Sequence, residues 1–136
     1  MKVALAQINP VIGDFSRNCE KIIEYSHVAT EGGCSLVIFP ELVISGYPPL
    51  DLLERTSFLE DHQNAMESLL DKLPPIDVLF GCLEAREGGS GKPLYNSAMV
   101  ARAGKIIHTT RKRLLPAYDV FDENRYFEPG PVPELY

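Results

Sequence analysis

Four consecutive apolar residues, Leu36-Val37-Ile38-Phe39, end at Pro40 and are followed at once by Glu41. No polar residue interrupts the run, so it reads as a short strand buried on both faces. Pro40 closes it, because proline has no backbone N–H to give to a ladder. In an open α/β sheet, ligands collect outside the carboxyl ends of the strands, and Glu41 stands at such an end. It is therefore a candidate catalytic carboxylate. A solvated carboxylate at a strand terminus is the ordinary alternative for a lone Phe-Pro-Glu.

The flanking sequence supplies the rest of an α/β unit. Val3 to Ile8 reads as a first strand, broken by Asn9-Pro10 and Gly13-Asp14. Asp14 or Ser16 can then cap a helix on which Cys19, Ile22, Ile23, Ser26 and Ala29 recur at three- and four-residue steps. Gly32-Gly33 supplies its stop. Two strands joined by a helix lie parallel, with a right-handed crossover.

Beyond the Glu41 loop, Ser57-Phe58-Leu59-Glu60 has the form of a capping box. Leu59, His62, Met66, Leu69, Leu70 and Leu73 keep helical spacing until Pro74-Pro75. His62 on that face reads as a satisfied, half-buried histidine rather than a ligand. Ile76 to Leu83 is a third strand, and Leu94 to Ala101 and Lys105 to Thr110 are two more around the turn Arg102-Ala103-Gly104. The predicted fold class is α/β, with a mixed sheet and helices on one face. Glu87 to Pro93 is glycine-rich but lacks a Gly-Lys-Ser/Thr ending, so it is no phosphate cradle.

Composition removes several functions. The formal net charge is −6, and the only tight basic cluster is Arg111-Lys112-Arg113, which argues against nucleic acid or an anionic membrane as partner. No apolar run approaches the roughly 20 residues of a membrane span. Met1 to Gln7 is too short and too soon polar for a signal peptide. Three cysteines, Cys19, Cys34 and Cys82, have spacings of neither a disulfide framework nor a metal site, so a reducing cytoplasm is expected and no metal.

A second informative stretch runs from Thr110 to Gly130, starting where a strand ends and rich in polar and aromatic residues. A loop of that composition is a functional or interface segment. Phe39-Pro40-Glu41 resembles the first motif of the nitrilase, or carbon–nitrogen hydrolase, superfamily, and Lys112 two residues before Leu114-Leu115-Pro116 is similar to its second. The text Gly46-Tyr47-Pro48-Pro49, Asp51-Leu52-Leu53, Phe121-Asp122-Glu123 and Arg125-Tyr126-Phe127-Glu128-Pro129-Gly130 resembles, more narrowly, the glutaminase domains of glutamine-dependent NAD synthetases. Ala117 and Asp119 depart from that pattern, standing where a small polar residue and a glycine are expected.

The resemblance implies a partial α-β-β-α sandwich, and a division of labour. Glu41 would be the general base, Lys112 would stabilise a thiolate and an oxyanion, and Tyr118 would line the glutamine site. Glu123 would be an accessory carboxylate that orients the lysine. Each has an ordinary alternative, and for Lys112 it is a solvated lysine in a basic run. The family's third element is a cysteine downstream of the lysine, which these 136 residues do not contain. Cys82, near Glu84, is the best substitute but lies upstream, and free cysteines are most often small buried hydrophobes.

Residues 1–136 are thus expected to be the N-terminal portion of such a domain, inactive alone, with glutamine as the small-molecule partner. No cofactor is expected on this segment, whereas ATP, Mg and deamido-NAD belong to a synthetase domain of the parent. An uncovered sheet face and edge would favour homo-oligomers. A stand-alone nitrilase-type amidase, and a non-catalytic binding module on the same fold, are the competing readings.

Overall fold

The computed structural model describes residues 1–118 and 121–136. One mixed sheet holds β1 (Val3–Leu5), β2 (Leu36–Ile38), β3 (Asp77–Ala85), β4 (Leu94–Arg102) and β5 (Lys105–Arg111) in that spatial order. β1, β2 and β3 are mutually parallel, and β4 and β5 add antiparallel. The two parallel steps cross over through α1 (Phe15–Glu31) and α2 (Thr56–Leu70). Successive right-handed crossovers in one direction leave both helices on one side of a sheet. Accordingly, Ile22 and Ala29 of α1 and Leu69 of α2 share one core with Val37, Val78, Phe80 and Cys82.

Local chemistry explains the helix ends. Asp14 caps α1, its Oδ1 accepting from Arg17 N at 3.3 Å, while Ser16 turns to Glu20 instead. The spacing Cys19, Ile22, Ser26 and Ala29 is buried, and Ile23 is only partly so. Gly33, with φ +71°, turns the chain out of the helix and back to β2.

Three expectations need correction. The capping box at Ser57 does not form, because α2 starts at Thr56 with Arg55 at its N-cap. A 3-10 turn over Leu50–Glu54 delivers Arg55 in extended geometry, and the Arg55 carbonyl takes the Phe58 and Leu59 amides. Ser57 is already helical and has no cap to make. β2 is not buried on both faces either: Val37 is buried but Leu36 and Ile38 are half-buried. The helices cover only one face, and on the other Val3 and Leu5 of neighbouring β1 are exposed. Finally, the first strand pairs only over Val3–Leu5, and one further bond, Ala6 N to Ile38 O at 2.9 Å, follows before Asn9-Pro10.

The β4–β5 hairpin turns through Ala103 (φ +50°) and Gly104 (φ +78°), a left-handed pair that suits the twist of a tight hairpin. After β5 the chain forms α3 (Glu123–Tyr126), a single turn within what reads as loop. The C-terminal residues come back past β5, where Gly130 N bonds Lys112 O at 3.0 Å and Tyr136 Oη donates to Asp77 at 2.6 Å.

Candidate active site

Glu41 is placed by the way its loop leaves the sheet. Past β2, Phe39 N bonds Leu79 O at 2.9 Å, and Pro40 O accepts from Gly81 N at 3.3 Å. The chain then passes over β3 at Gly81. A Cβ at that position would stand 2.3 Å from Leu42 N and 2.7 Å from Glu41 Cα, so only glycine admits the crossing. Leu42 takes φ +46°, and Gly46 N returns to Leu42 O at 2.8 Å, closing a turn. Asn18 of α1, fully buried, ties this turn to the first loop by donating to Ile44 O (3.0 Å) and Val11 O (2.8 Å) and accepting from Val11 N (2.9 Å).

Departure of the β2 chain exposes an amide on the β3 edge, Leu83 N. His62 Nε2 accepts it at 3.3 Å. His62 is wholly rather than half buried, and burial lowers its pKa to about 4. It is a neutral acceptor that completes the ladder, in keeping with a satisfied histidine and far from a ligand's role.

Lys112 follows β5. Its amide bonds Asn96 O at 2.8 Å and its carbonyl accepts from Gly130 N, so its backbone is held on both sides. Nζ donates to Glu41 Oε1 at 2.8 Å and to Glu123 Oε1 at 3.0 Å. Glu123 Oε2 is equally near the ammonium at 3.0 Å, yet it is buried and makes no hydrogen bond among the described residues. Tyr47 Oη donates to Glu123 Oε1 at 2.9 Å. Asn96 Nδ2 donates to Glu41 Oε1 at 2.6 Å.

The two carboxylates differ sharply in environment. The Glu41 side chain is 44% exposed and that of Glu123 only 5%, with Lys112 at 30% between them. Burial works against the charge on Lys112, but hydrogen bonds and charge from Glu41 and Glu123 outweigh it and raise the lysine pKa. Burial, then the hydrogen bond to Glu123, raises the Tyr47 pKa. The Glu41–Lys112 pair is too open to add more than about 1 kcal/mol to stability. Its geometry is better explained by chemistry than by folding. Glu41 and Lys112 border an open cleft of roughly 420 Å³ whose floor includes Leu79, Gly81 and Ala98.

The structure brings the side chains of Glu41, Lys112 and Glu123 together. Tyr118 stands apart, 70% exposed on the rim of a groove it shares with Lys112, Ala117 and Asn124, its ring against Phe121 at 5.6 Å. Asp119 lies outside the described residues. Cys82 is excluded from the site by strand alternation: Gly81 faces Glu41, so Cys82 faces the helices, where burial pushes its thiol up to about 12. Cys19 is buried against α2 with its thiol raised to about 11, and Cys34 precedes β2, at the end opposite Glu41. Asn96 and Tyr47 carry no assigned role in the sequence reading. For Asn96 the signal was available: an Asn-Ser pair inside the otherwise apolar run from Leu94 to Ala101.

An ammonium between two carboxylates beyond the carboxyl ends of an α/β sheet defines a polar site suited to proton transfer and oxyanion binding. The carbon-nitrogen hydrolase model matches residues 2–135, and the chain belongs to that family. It is 42% identical over 132 residues to a glutamine-dependent NAD(+) synthetase of Thermotoga maritima, covering 96% of this chain and 22% of that protein. The Synechocystis synthetase is also 42% identical, over 139 residues, with 98% and 25% covered. The chain therefore spans about a quarter of the relatives it matches. Among solved structures, the glutamine-dependent NAD+ synthetase of Acinetobacter baumannii superposes with TM-score 0.86 at 41% identity, covering 94% of this chain and 24% of that one. An amidase of the nitrilase superfamily from Nesterenkonia gives TM-score 0.80 at 26% identity, with 98% and 49% covered.

Among the described residues no helix is long and apolar enough to cross a membrane, and no three His, Cys, Asp or Glu side chains are grouped to hold a metal ion.

Proposed function

We propose that this chain supplies the carboxylate and lysine half of a glutamine-hydrolysing site, as the N-terminal portion of a carbon–nitrogen hydrolase domain in a glutamine-dependent NAD synthetase. The observation that carries this is the Glu41–Lys112–Glu123 constellation, in a chain 42% identical to such synthetases. The amidase reading is weaker, since its structural counterpart is 26% identical.

In the proposed reaction a cysteine thiol, supplied from outside these 136 residues, gives its proton to Glu41 and attacks the side-chain amide carbon of glutamine. Lys112 stabilises the thiolate and the oxyanion of the tetrahedral intermediate. The carbon–nitrogen bond then breaks, Glu41 returns the proton to the departing ammonia, and water hydrolyses the glutamyl thioester. Glu123, held by Tyr47, fixes Lys112 from the buried side, and Tyr118 borders the glutamine site. Among the described residues no thiol stands beside the pair, so the segment is expected to be inactive alone and to self-associate through its uncovered sheet face. ATP, magnesium and deamido-NAD would be used by the remainder of a cytoplasmic parent enzyme.

The test is made in the full-length protein. Glu41→Gln and Lys112→Ala should each abolish glutamine-supported NAD formation while leaving ammonium-supported formation intact, because free ammonia bypasses this site. Normal glutamine use by either variant overturns the assignment.

A further inference from the structure

We propose that Asn96 is a positioning residue that selects which oxygen of Glu41 carries the proton. This rests on the amide-hydrolysis reading above and deepens it.

Asn96 reaches both members of the pair. Its backbone carbonyl accepts the Lys112 amide at 2.8 Å, and its side-chain amide donates to Glu41 Oε1 at 2.6 Å. The separation of carboxylate and ammonium is thereby fixed by one residue near the start of β4. Folding alone does not call for it. On the same sheet face of β4 the alternate residues are Leu94, Ala98 and Val100, and burial of an amide in such a row is unfavourable unless it is hydrogen-bonded.

The donor count then assigns the oxygens. Asn96 Nδ2 and Lys112 Nζ both donate to Oε1, and Oε2 has no hydrogen bond among the described residues. A proton is taken by an unengaged lone pair, so Oε2 accepts the thiol proton while Oε1 remains anchored. As the sulfur–carbon bond forms, the S–H proton moves to Oε2. As the carbon–nitrogen bond breaks, the same proton passes to nitrogen and the carboxylate is restored. An amide suits the anchoring position because it donates without titrating, whereas a second ammonium would compete with Lys112 for the carboxylate's charge.

The experiment compares Asn96→Ser, Asn96→Ala and Asn96→Asp in the full-length protein, with glutamine and with ammonium as nitrogen source. Loss of a hydrogen bond to a charged group lowers the Asn96→Ala kcat for glutamine by roughly 10- to 100-fold. KM for glutamine and the ammonium-supported rate stay within about twofold, since the anchor acts on proton transfer and not on substrate binding. Asn96→Asp keeps the shape and the backbone carbonyl but offers a second anion to Glu41, so it is slower still. Asn96→Ser, which retains a donor, is the least impaired.

The order Ser, Ala, Asp supports the proposal. A purely space-filling role predicts instead that the isosteric Asp variant is milder than Ala, or that the ammonium rate falls in parallel, and either result overturns it. Glu41→Gln separates the two readings. If that variant still uses glutamine, the active-site assignment fails. If it does not, but the Asn96 variants turn over like wild type, only the positioning role fails.

Discussion

Replacing Gly81 by alanine adds one methyl group at the point where the Glu41 loop crosses β3. Gly81 is not in left-handed backbone geometry, so its requirement is one of space. The added Cβ would lie 2.3 Å from Leu42 N, 2.7 Å from Glu41 Cα and 2.8 Å from Glu41 C, all backbone atoms. Ordinary contact begins near 3.4 Å, so the loop must rise by about 1 Å. It cannot rise freely. Pro40 O is bonded to Gly81 N at 3.3 Å, Gly46 N to Leu42 O at 2.8 Å, and Leu42, Val43 and Ile44 are fully buried. Overpacking of this kind costs about 1–3 kcal/mol, and loss of the Pro40–Gly81 hydrogen bond adds about 1 kcal/mol. Alanine's smaller unfolded-state entropy returns about 0.4–1 kcal/mol. The balance is a destabilisation of about 1–3.5 kcal/mol.

At this chain length that shifts Tm downward by about 3–12 °C. The assay is thermal unfolding followed by circular dichroism, with Gly33→Ala as the control. Gly33 has φ +71° but nothing within 4 Å of a Cβ, so its cost is conformational only, about 1 kcal/mol. On the proposed function, Gly81→Ala in the full-length protein should also lower glutamine-supported turnover, because a 1 Å lift breaks the 2.6 and 2.8 Å bonds that Glu41 makes to Asn96 and Lys112. A Gly81→Ala protein that melts within 2 °C of wild type would refute the reasoning; that threshold, about 0.5 kcal/mol, is below the smallest expected cost.

Two further perturbations probe the supports of the site. His62 has its folded pKa lowered from 6.5 to about 4, so the unfolded chain binds a proton that the folded chain refuses as pH falls through this window. Stability from this residue is complete above about pH 7 and is lost between 6.5 and 4, with about 2 kcal/mol gone by pH 5. Denaturant titrations at pH 7.5 and 5 should show that loss in wild type and its absence in His62→Gln, which keeps an acceptor but does not titrate. Asn18→Ala should cost about 1–3 kcal/mol by leaving the buried Ile44 carbonyl without its donor and the part-buried Val11 amide without its acceptor, read as a lower denaturation midpoint at unchanged slope.

The legible and illegible parts of this fold divide by range. The order of strands and helices, the one-sided helix layer and the strand-end positions of Glu41 and Lys112 follow from periodicity and from proline and glycine punctuation. Those signals are local, or need only one crossover rule. The box at Ser57 failed because a preceding 3-10 turn, invisible in helical periodicity, set the helix start. The two-sided burial of β2 failed because hydrophobicity states what a residue tolerates, not what covers it. Asn18, His62 and Asn96 act across sequence separations of 26, 21 and 55 residues. Each is a polar residue on a buried face, which marks it as partnered but cannot name the partner.

The site's asymmetry follows from that same long-range wiring. Lys112 is shared by two carboxylates, but only Glu41 borders the open cleft, while Glu123 is sealed behind Tyr47. A group that must take and return a proton needs contact with the reacting atoms; a group that must hold a charge in place is better kept from water, where Coulomb attraction is stronger. Burial of Glu123 therefore suits it to restrain the ammonium, and exposure of Glu41 suits it to exchange protons. The two proposed roles are not interchangeable even though the side chains are chemically identical. The difference originates in sequence: Gly81 lets one carboxylate lie across the sheet face, and the short turn at Glu123–Tyr126 draws the other beneath it.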